Sequence, residues 1–216
     1  MLLTEKYRPR DWGEIVGQPK ALKRIDTIRR VEGMAGQCIW ISGKSGCGKT
    51  SIARLLALEV CDPAYIIEIN AGEVAMDMLR EWEDMARFSP ITGKLWAIIV
   101  NETHALRGAI VTRLLTIVES ASWQRNCLLV GTTTTEGANL FDETFDAAPF
   151  GSRTKEIKLT GEGIAKPFAE RCREIATTEG LNGRPIGDYV KLINRCHGNL
   201  REAIQLVAAG EMAVGK

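Results

Sequence analysis

The chain has 216 residues, 45% of them hydrophobic and 25% charged, with a formal net charge of +1. That length suits one large domain, or a medium domain with a small companion, and the apolar share is enough for a real core. A disordered chain, a collagen-like repeat and a disulfide-dense miniprotein are excluded, and no apolar run approaches the roughly 20 residues that span a bilayer. Met1-Leu2-Leu3-Thr4-Glu5-Lys6 becomes charged too early to hold the apolar stretch of a signal peptide. The balanced charge argues against a protein that grips nucleic acid unaided, although a local basic surface fits within a net of +1. The cysteines at 38, 47, 61, 127, 172 and 196 fall in no ligand spacing, and His104 and His197 are far apart in sequence. Buried thiols in a reducing cytosol are expected, rather than a zinc site.

Short apolar runs alternate with helical patterns, which predicts βαβ units around a parallel sheet. Residues 37–41 read as a strand, followed by a glycine-rich turn and a helix over about 50–60. Residues 64–69 are the next strand, and the helix after it carries Met78, Trp82, Met85 and Ala86 at helical spacing. The stripe of Met76, Met78, Trp82 and Met85 could form a sticky binding face, but core packing is what any half-buried helix shows and is the expectation. Residues 95–100 are continuously apolar, as in a strand covered on both faces. A helix over 110–120 and strands at 127–130 and 156–159 complete this pattern. Beyond it, 162–179 places Ile164, Phe168, Cys172, Ile175 and Ala176 on one helical face. Residues 186–196 and 199–212 are two further helices, the last with Asn199 as its N-cap. The predicted division lies between Leu159 and Thr160: an α/β domain over 1–159 and a small all-α domain over 160–216.

Gly43-Lys44-Ser45-Gly46-Cys47-Gly48-Lys49-Thr50 fits G-x-x-x-x-G-K-[ST], and it lies between a strand and a helix as that motif requires. Glycines let the backbone wrap phosphates, so that its N–H groups form a nest for anionic oxygens, and the helix starting near Lys49 adds its positive end. Lys49 is expected to reach the β- and γ-phosphates and Thr50 to offer its hydroxyl to Mg²⁺, with Ser51 in the same first turn. Cys47 is expected to be a small filler facing away from phosphate rather than a reactive thiol. A nucleoside triphosphatase of this kind also needs an acidic element at the end of a neighbouring strand. Ile98-Ile99-Val100-Asn101-Glu102 occupies that place, with Glu102 as general base and Asn101 where an aspartate is usual. His104 reads as a structural histidine nearby.

Several segments together resemble clamp-loader ATPases of the AAA+ superfamily, the replication factor C small subunits and the bacterial gamma/tau subunits. They are Thr4-Glu5-Lys6-Tyr7-Arg8-Pro9-Arg10 with Ile15-Val16-Gly17-Gln18, Ile69-Asn70-Ala71-Gly72, Leu128-Leu129-Val130-Gly131-Thr132-Thr133, Gly151-Ser152-Arg153-Thr154, and Gly198-Asn199-Leu200-Arg201-Glu202-Ala203. The resemblance spans essentially the whole chain. It implies a P-loop AAA+ sheet followed by a helical lid, with ATP or ADP and Mg²⁺ bound between them. Tyr7, Arg8, Val16 and Gly17 would line the adenine pocket. Thr132, or its neighbour Thr133, would be sensor 1, Arg201 would be sensor 2, and Arg153 would reach the ATP of a neighbouring subunit. The implied partners are other clamp-loader subunits, a sliding clamp and primer–template DNA, in the cytoplasm with the replication machinery of a nucleoid or nucleus, and no membrane.

The sequence departs from the family pattern at several points. Asn101 stands for an acidic residue, Thr154 stands for a cysteine, and the stretch 141–150 is longer than the usual linker. The gamma/tau zinc module has only Cys61 in its interval, and the helical collar that joins family pentamers does not follow the lid within these 216 residues. Three readings result: a clamp-loading ATPase, a subunit of such an assembly that binds nucleotide but hydrolyses it poorly, and another AAA+ remodeller. An amide at 101 brings no charge to Mg²⁺. ATP binding is therefore expected to survive with slow turnover, and Asn101→Asp is expected to speed it.

Overall fold

Strands β1 (Cys38–Ser42), β2 (Ile66–Asn70), β3 (Trp96–Asn101), β4 (Cys127–Thr133) and β5 (Lys155–Lys158) pair in parallel, in the order β2-β3-β4-β1-β5. The structure, a computed structural model, describes residues 1–92, 94–134 and 153–213. A parallel sheet needs crossovers that cover both of its faces. Here they contain α3 (Lys49–Val60), α4 (Met76–Met85), α5 (Gly108–Val118) and α6 (Ala121–Asn126), while α2 (Pro19–Val31) precedes β1. No helix among the described residues is long and apolar enough to cross a membrane.

Strand alternation divides the apolar side chains into two layers. Ile39, Ile41, Ala97, Ile99, Leu128 and Val130 face α2 and α3, where they pack on Ile25, Ile52 and Leu56. Cys38, Trp40, Ile98, Val100, Cys127 and Leu129 face α4 and α5, where they meet Leu79, Trp82, Leu114 and Ile117. A third cluster lies in a C-terminal helical region of α7 (Ala165–Thr178), α8 (Ile186–Arg195) and α9 (Leu200–Ala208), around Phe168, Cys172, Ile175, Tyr189, Ile193 and Val207. Leu3 of α1 (Leu3–Lys6), Tyr7 and Val16 pack against that third cluster, so the N-terminal segment joins the helical region to the sheet. Gln18, only 1% exposed, pins the junction: its side chain donates to the Thr160 carbonyl at 3.1 Å and accepts from the Thr160 N–H at 2.9 Å.

The predicted strands and the predicted helices are all present, with shifted ends. Ala64 and Tyr65 belong to a short 3₁₀ turn over Pro63–Tyr65, because proline's fixed φ and missing N–H suit a turn better than a ladder. β4 runs three residues beyond its predicted end, and Thr132 and Thr133 are fully buried in it. Trp82 and Ala86 are in the core as expected, but Leu79 completes that face while Met76 is 43% exposed. Asn199 does cap α9, accepting from the Glu202 N–H at 3.2 Å. All six cysteines are free and buried. The helices α2 and α6 have no clear signature in the sequence pattern. The first buries only Ala21, Ile25 and Ile28 in a polar sequence, and the second is too short for its period to show.

Gly131 illustrates how tightly the sheet is packed. It lies directly beside Trp40 in the β1–β4 pairing, and a Cβ there would sit 2.7 Å from the indole ring. Gly131→Ala is expected to cost about 1–3 kcal/mol by overpacking, read as a lower urea midpoint. An unchanged midpoint would mean that Trp40 repacks without penalty.

Candidate functional site

The C-terminal ends of all five strands open on one edge of the sheet, where ligands bind in open α/β folds. β1 ends at Ser42, and the loop from Gly43 to Gly48 then turns the chain into α3. Gly46 and Gly48 have φ of 72° and 104°, a left-handed backbone that glycine adopts without strain. The loop curls around Lys49, whose Nζ donates to the carbonyls of Gly43 at 2.8 Å and Lys44 at 2.9 Å. Lys49 is only 6% exposed, and burial holds its ammonium below the ordinary lysine range. Nearby Cys47 and Glu102 oppose that shift and Arg201 adds to it. The Cys47 thiol is buried in the core against α3 and is pushed up by burial, which accords with a filler and not a reactive thiol.

A cleft runs from this loop to the helical region. Its walls include Tyr7, Arg8 and Val16 of the N-terminal segment, the backbone and side chains from Ser45 to Ser51, Glu102, and Arg201 on α9. Gly17 stands just behind the wall. Its φ is 73°, and a Cβ there would come within 3.0 Å of Phe168, so glycine lets the N-terminal segment lie against α7. Lys6 pairs with Glu179 at 2.6 Å and the Tyr7 hydroxyl donates to the same carboxylate. These two contacts, Lys6 first, hold Glu179 below the usual carboxylate range. Arg8 pairs with Glu5 through two nitrogens. That pairing lowers Glu5.

At the foot of the cleft, Thr50 Oγ1 lies 3.4 Å from Asn101 Oδ1, and Thr132 donates to the same oxygen at 2.9 Å. Thr103 donates to the Thr132 carbonyl at 3.2 Å and fixes the end of β4. Glu102 has φ of 54°, a left-handed conformation that turns it out of the strand line, and its carboxylate lies 3.4 Å from His104 Nδ1. His104 also lies 3.4 Å from the Thr133 hydroxyl. The donors here are hard oxygens of Thr50, Asn101 and Glu102, the chemistry that suits Mg²⁺ shared with phosphate. Among the described residues no three His, Cys, Asp or Glu side chains converge on a metal position.

The structure thus brings Lys49, Thr50, Asn101, Glu102, Thr132 and Arg201 to one place. It does not bring Arg153 there: Arg153 is paired with Glu119 just beyond α5, away from the cleft. Gly151 and Ser152, and the stretch 141–150, lie outside the described residues. Sequence reasoning missed Phe168, Arg171, Leu200 and Ile204 as walls of the cleft. Three of these are ordinary core-type residues at helical spacing, and nothing in their local pattern says that a ligand-sized space lies beside them. It also missed Glu68 and Arg54, which sit behind Asn101.

Residues 39–153 match the family described as ATPase family associated with various cellular activities (AAA), and the chain belongs to that family. The replication factor C small subunit of Archaeoglobus fulgidus is 36% identical over 210 residues, covering 90% of this chain and 62% of that protein. DNA polymerase III subunit gamma/tau of Mycobacterium tuberculosis is 30% identical over 144 residues, covering 55% of this chain and 25% of that protein. This chain therefore spans less than two thirds of the length of either relative. A replication factor C small subunit and a gamma/tau subunit, the two kinds of protein that the motifs resemble, are thus both among its relatives. The Thermotoga maritima RuvB Holliday junction branch migration motor shares the fold, with a TM-score of 0.71 at 20% identity over 94% of this chain and 64% of that one.

Gly46 is where the phosphate-type loop meets the helical region, since a Cβ there would lie 1.8 Å from the Asn199 side-chain oxygen. Gly46→Ala must displace the α9 cap as well as strain the loop. The expected result is a loss of nucleotide affinity together with a cost of about 1 kcal/mol or more in stability. Titration with a fluorescent ATP analogue and urea unfolding report the two effects separately.

Proposed function

We propose that this chain is an ATP-binding and ATP-hydrolysing subunit of the clamp-loader type, with an α/β domain over 1–159 and a helical lid over 160–216. The observation that carries the reading is the convergence of Lys49 in its glycine loop, Glu102 and Arg201 on one cleft between the sheet and the helical region. Loop N–H groups from Gly43 to Thr50 and Lys49 hold the triphosphate of ATP. Thr50 and, through water, Asn101 face the Mg²⁺ that accompanies it, and Ser51 completes the first turn. Mg²⁺ bound with the nucleotide neutralises phosphate charge. Tyr7, Arg8, Val16 and Gly17 form the adenine side. Glu102 takes the proton of the attacking water, Thr132 senses the γ-phosphate from β4, and Arg201 reaches phosphate from the lid. Catalysis by these groups is positioning and charge stabilisation.

Arg153 serves a neighbouring subunit's ATP, which accords with its distance from the cleft of its own chain. The work of the assembly is to open or release a sliding clamp at primer–template DNA, in the cytoplasm with the replication machinery. Asn101 favours a second reading, a subunit of the same assembly that binds nucleotide but hydrolyses it slowly. The likeness of fold to a branch-migration motor keeps a third, another AAA+ remodeller of DNA-bound complexes, and stimulation of turnover by clamp and primed DNA together separates it from the first.

Lys49→Ala removes the buried cation from the loop. ATP affinity is expected to fall, and turnover to drop by about 10²-fold or more, the scale of one lost transition-state contact. Parent-like binding and turnover would overturn the reading. Arginines donated across subunits contribute about 10³–10⁵ in rate in GTPases. A mixture of Arg153→Ala and Lys49→Ala proteins is therefore expected to hydrolyse ATP faster than the sum of its two components.

A further inference from the structure

Asn101 closes β3 where the motif pattern calls for a carboxylate, and its amide is held from both sides. The oxygen accepts from Thr132 at 2.9 Å and lies 3.4 Å from Thr50 Oγ1, while the nitrogen donates to Glu68 Oε1 at 2.9 Å. Glu68 lies on β2 beside Ile99, two residues before Asn101, so both side chains stand on the α3 face of the sheet. On α3, Arg54 is one turn after Thr50 and grips Glu68 through Nε at 2.6 Å and an Nη at 3.0 Å.

A carboxylate paired with a guanidinium offers only acceptor oxygens, whereas a carboxamide has one accepting and one donating end. Glu68 must therefore face the nitrogen of Asn101, which leaves the oxygen for Thr50 and Thr132. We infer that the Arg54–Glu68 pair is a positioning device that turns the Asn101 amide oxygen toward Thr50, and that an amide at 101 is the partner Glu68 requires. An aspartate at 101 would set a second carboxylate against Glu68 with no proton between them. The expectation that Asn101→Asp alone speeds turnover thus gains a condition: the gain in charge toward Mg²⁺ is offset until Glu68 is also changed. This consequence for Mg²⁺ rests on the nucleotide-site reading; the coupling between 68 and 101 does not.

The test is a cycle of the parent, Asn101→Asp, Glu68→Gln and the double variant, unfolded thermally near pH 7 without nucleotide or metal. Asn101→Asp is expected to lower Tm by roughly 2–4 °C in a chain of this size. The same change made in the Glu68→Gln protein is expected to lower it less or to raise it, because the glutamine nitrogen can donate to Asp. Equal changes in the two backgrounds would overturn the inference. Should the aspartate variants not fold, the parent labelled with ¹⁵N-asparagine decides. Exchange of the Asn101 side-chain N–H with solvent should quicken several-fold on Glu68→Ala, and an unchanged rate would overturn it equally. With a fluorescent ATP analogue, the double variant is expected to need several-fold less Mg²⁺ for half-maximal affinity than Asn101→Asp alone. An equal requirement would remove the claim about the metal while leaving the unfolding result to judge the coupling. Absence of nucleotide binding in the parent would instead remove the proposed function.

Discussion

The pairing of β1 with β4 on one side and β5 on the other is the constraint on which the rest of the molecule depends. A strand held on both edges cannot shift register without breaking two ladders, so the point where it stops is fixed. That point is Ser42, and the glycine loop begins at the next residue. The Gly43 N–H is tied to the Thr133 carbonyl at 3.3 Å, and the Leu159 N–H to the Ser42 carbonyl at 2.8 Å. Loop, β4 end and the connection to the helical region are therefore anchored within one turn of each other. Because every strand is parallel, Asn101 at the end of β3 and Glu102 just after it arrive on the same edge as the loop without any further device.

The second organising element is the N-terminal segment. It is short, and its only regular structure among the described residues before Pro19 is α1 and a 3₁₀ turn over Trp12–Glu14. Yet it packs on the helical region through Leu3, Tyr7 and Val16, and it touches the sheet side of the junction through Gln18. A wall built this way belongs to both halves of the cleft. Any change in the angle between the helical region and the sheet must also move Tyr7 and Arg8.

The electrostatics of the cleft are set by burial as much as by pairing. Lys49 is enclosed by its own loop carbonyls, and the cost of burying its charge is offset by two short hydrogen bonds to main-chain oxygens. Behind the opposite wall, Glu68 carries a charge that is matched by Arg54 and passed to the cleft only as the orientation of an amide. The same hydroxyls, Thr50 and Thr132, read that orientation from two different strand-helix units.

Much of this is legible along the chain. The fold class, the glycine loop with Lys49 and Thr50, the acidic Glu102, the cap on α9 and the family could all be read from residues close together in the chain. A loop between a strand and a helix needs only local backbone geometry, and alternation and helical spacing are local too. The rest depends on which elements the crossovers bring side by side. That Arg171 and Ile204 line the same cleft as Tyr7, and that Arg153 pairs with Glu119, follows from helix packing that no short window encodes. The largest difference lies at Asn101. Read along the chain it is a missing charge; in the folded sheet it stands beside Glu68, 33 residues earlier, whose acceptor oxygens can be met by an amide nitrogen and not by a carboxylate.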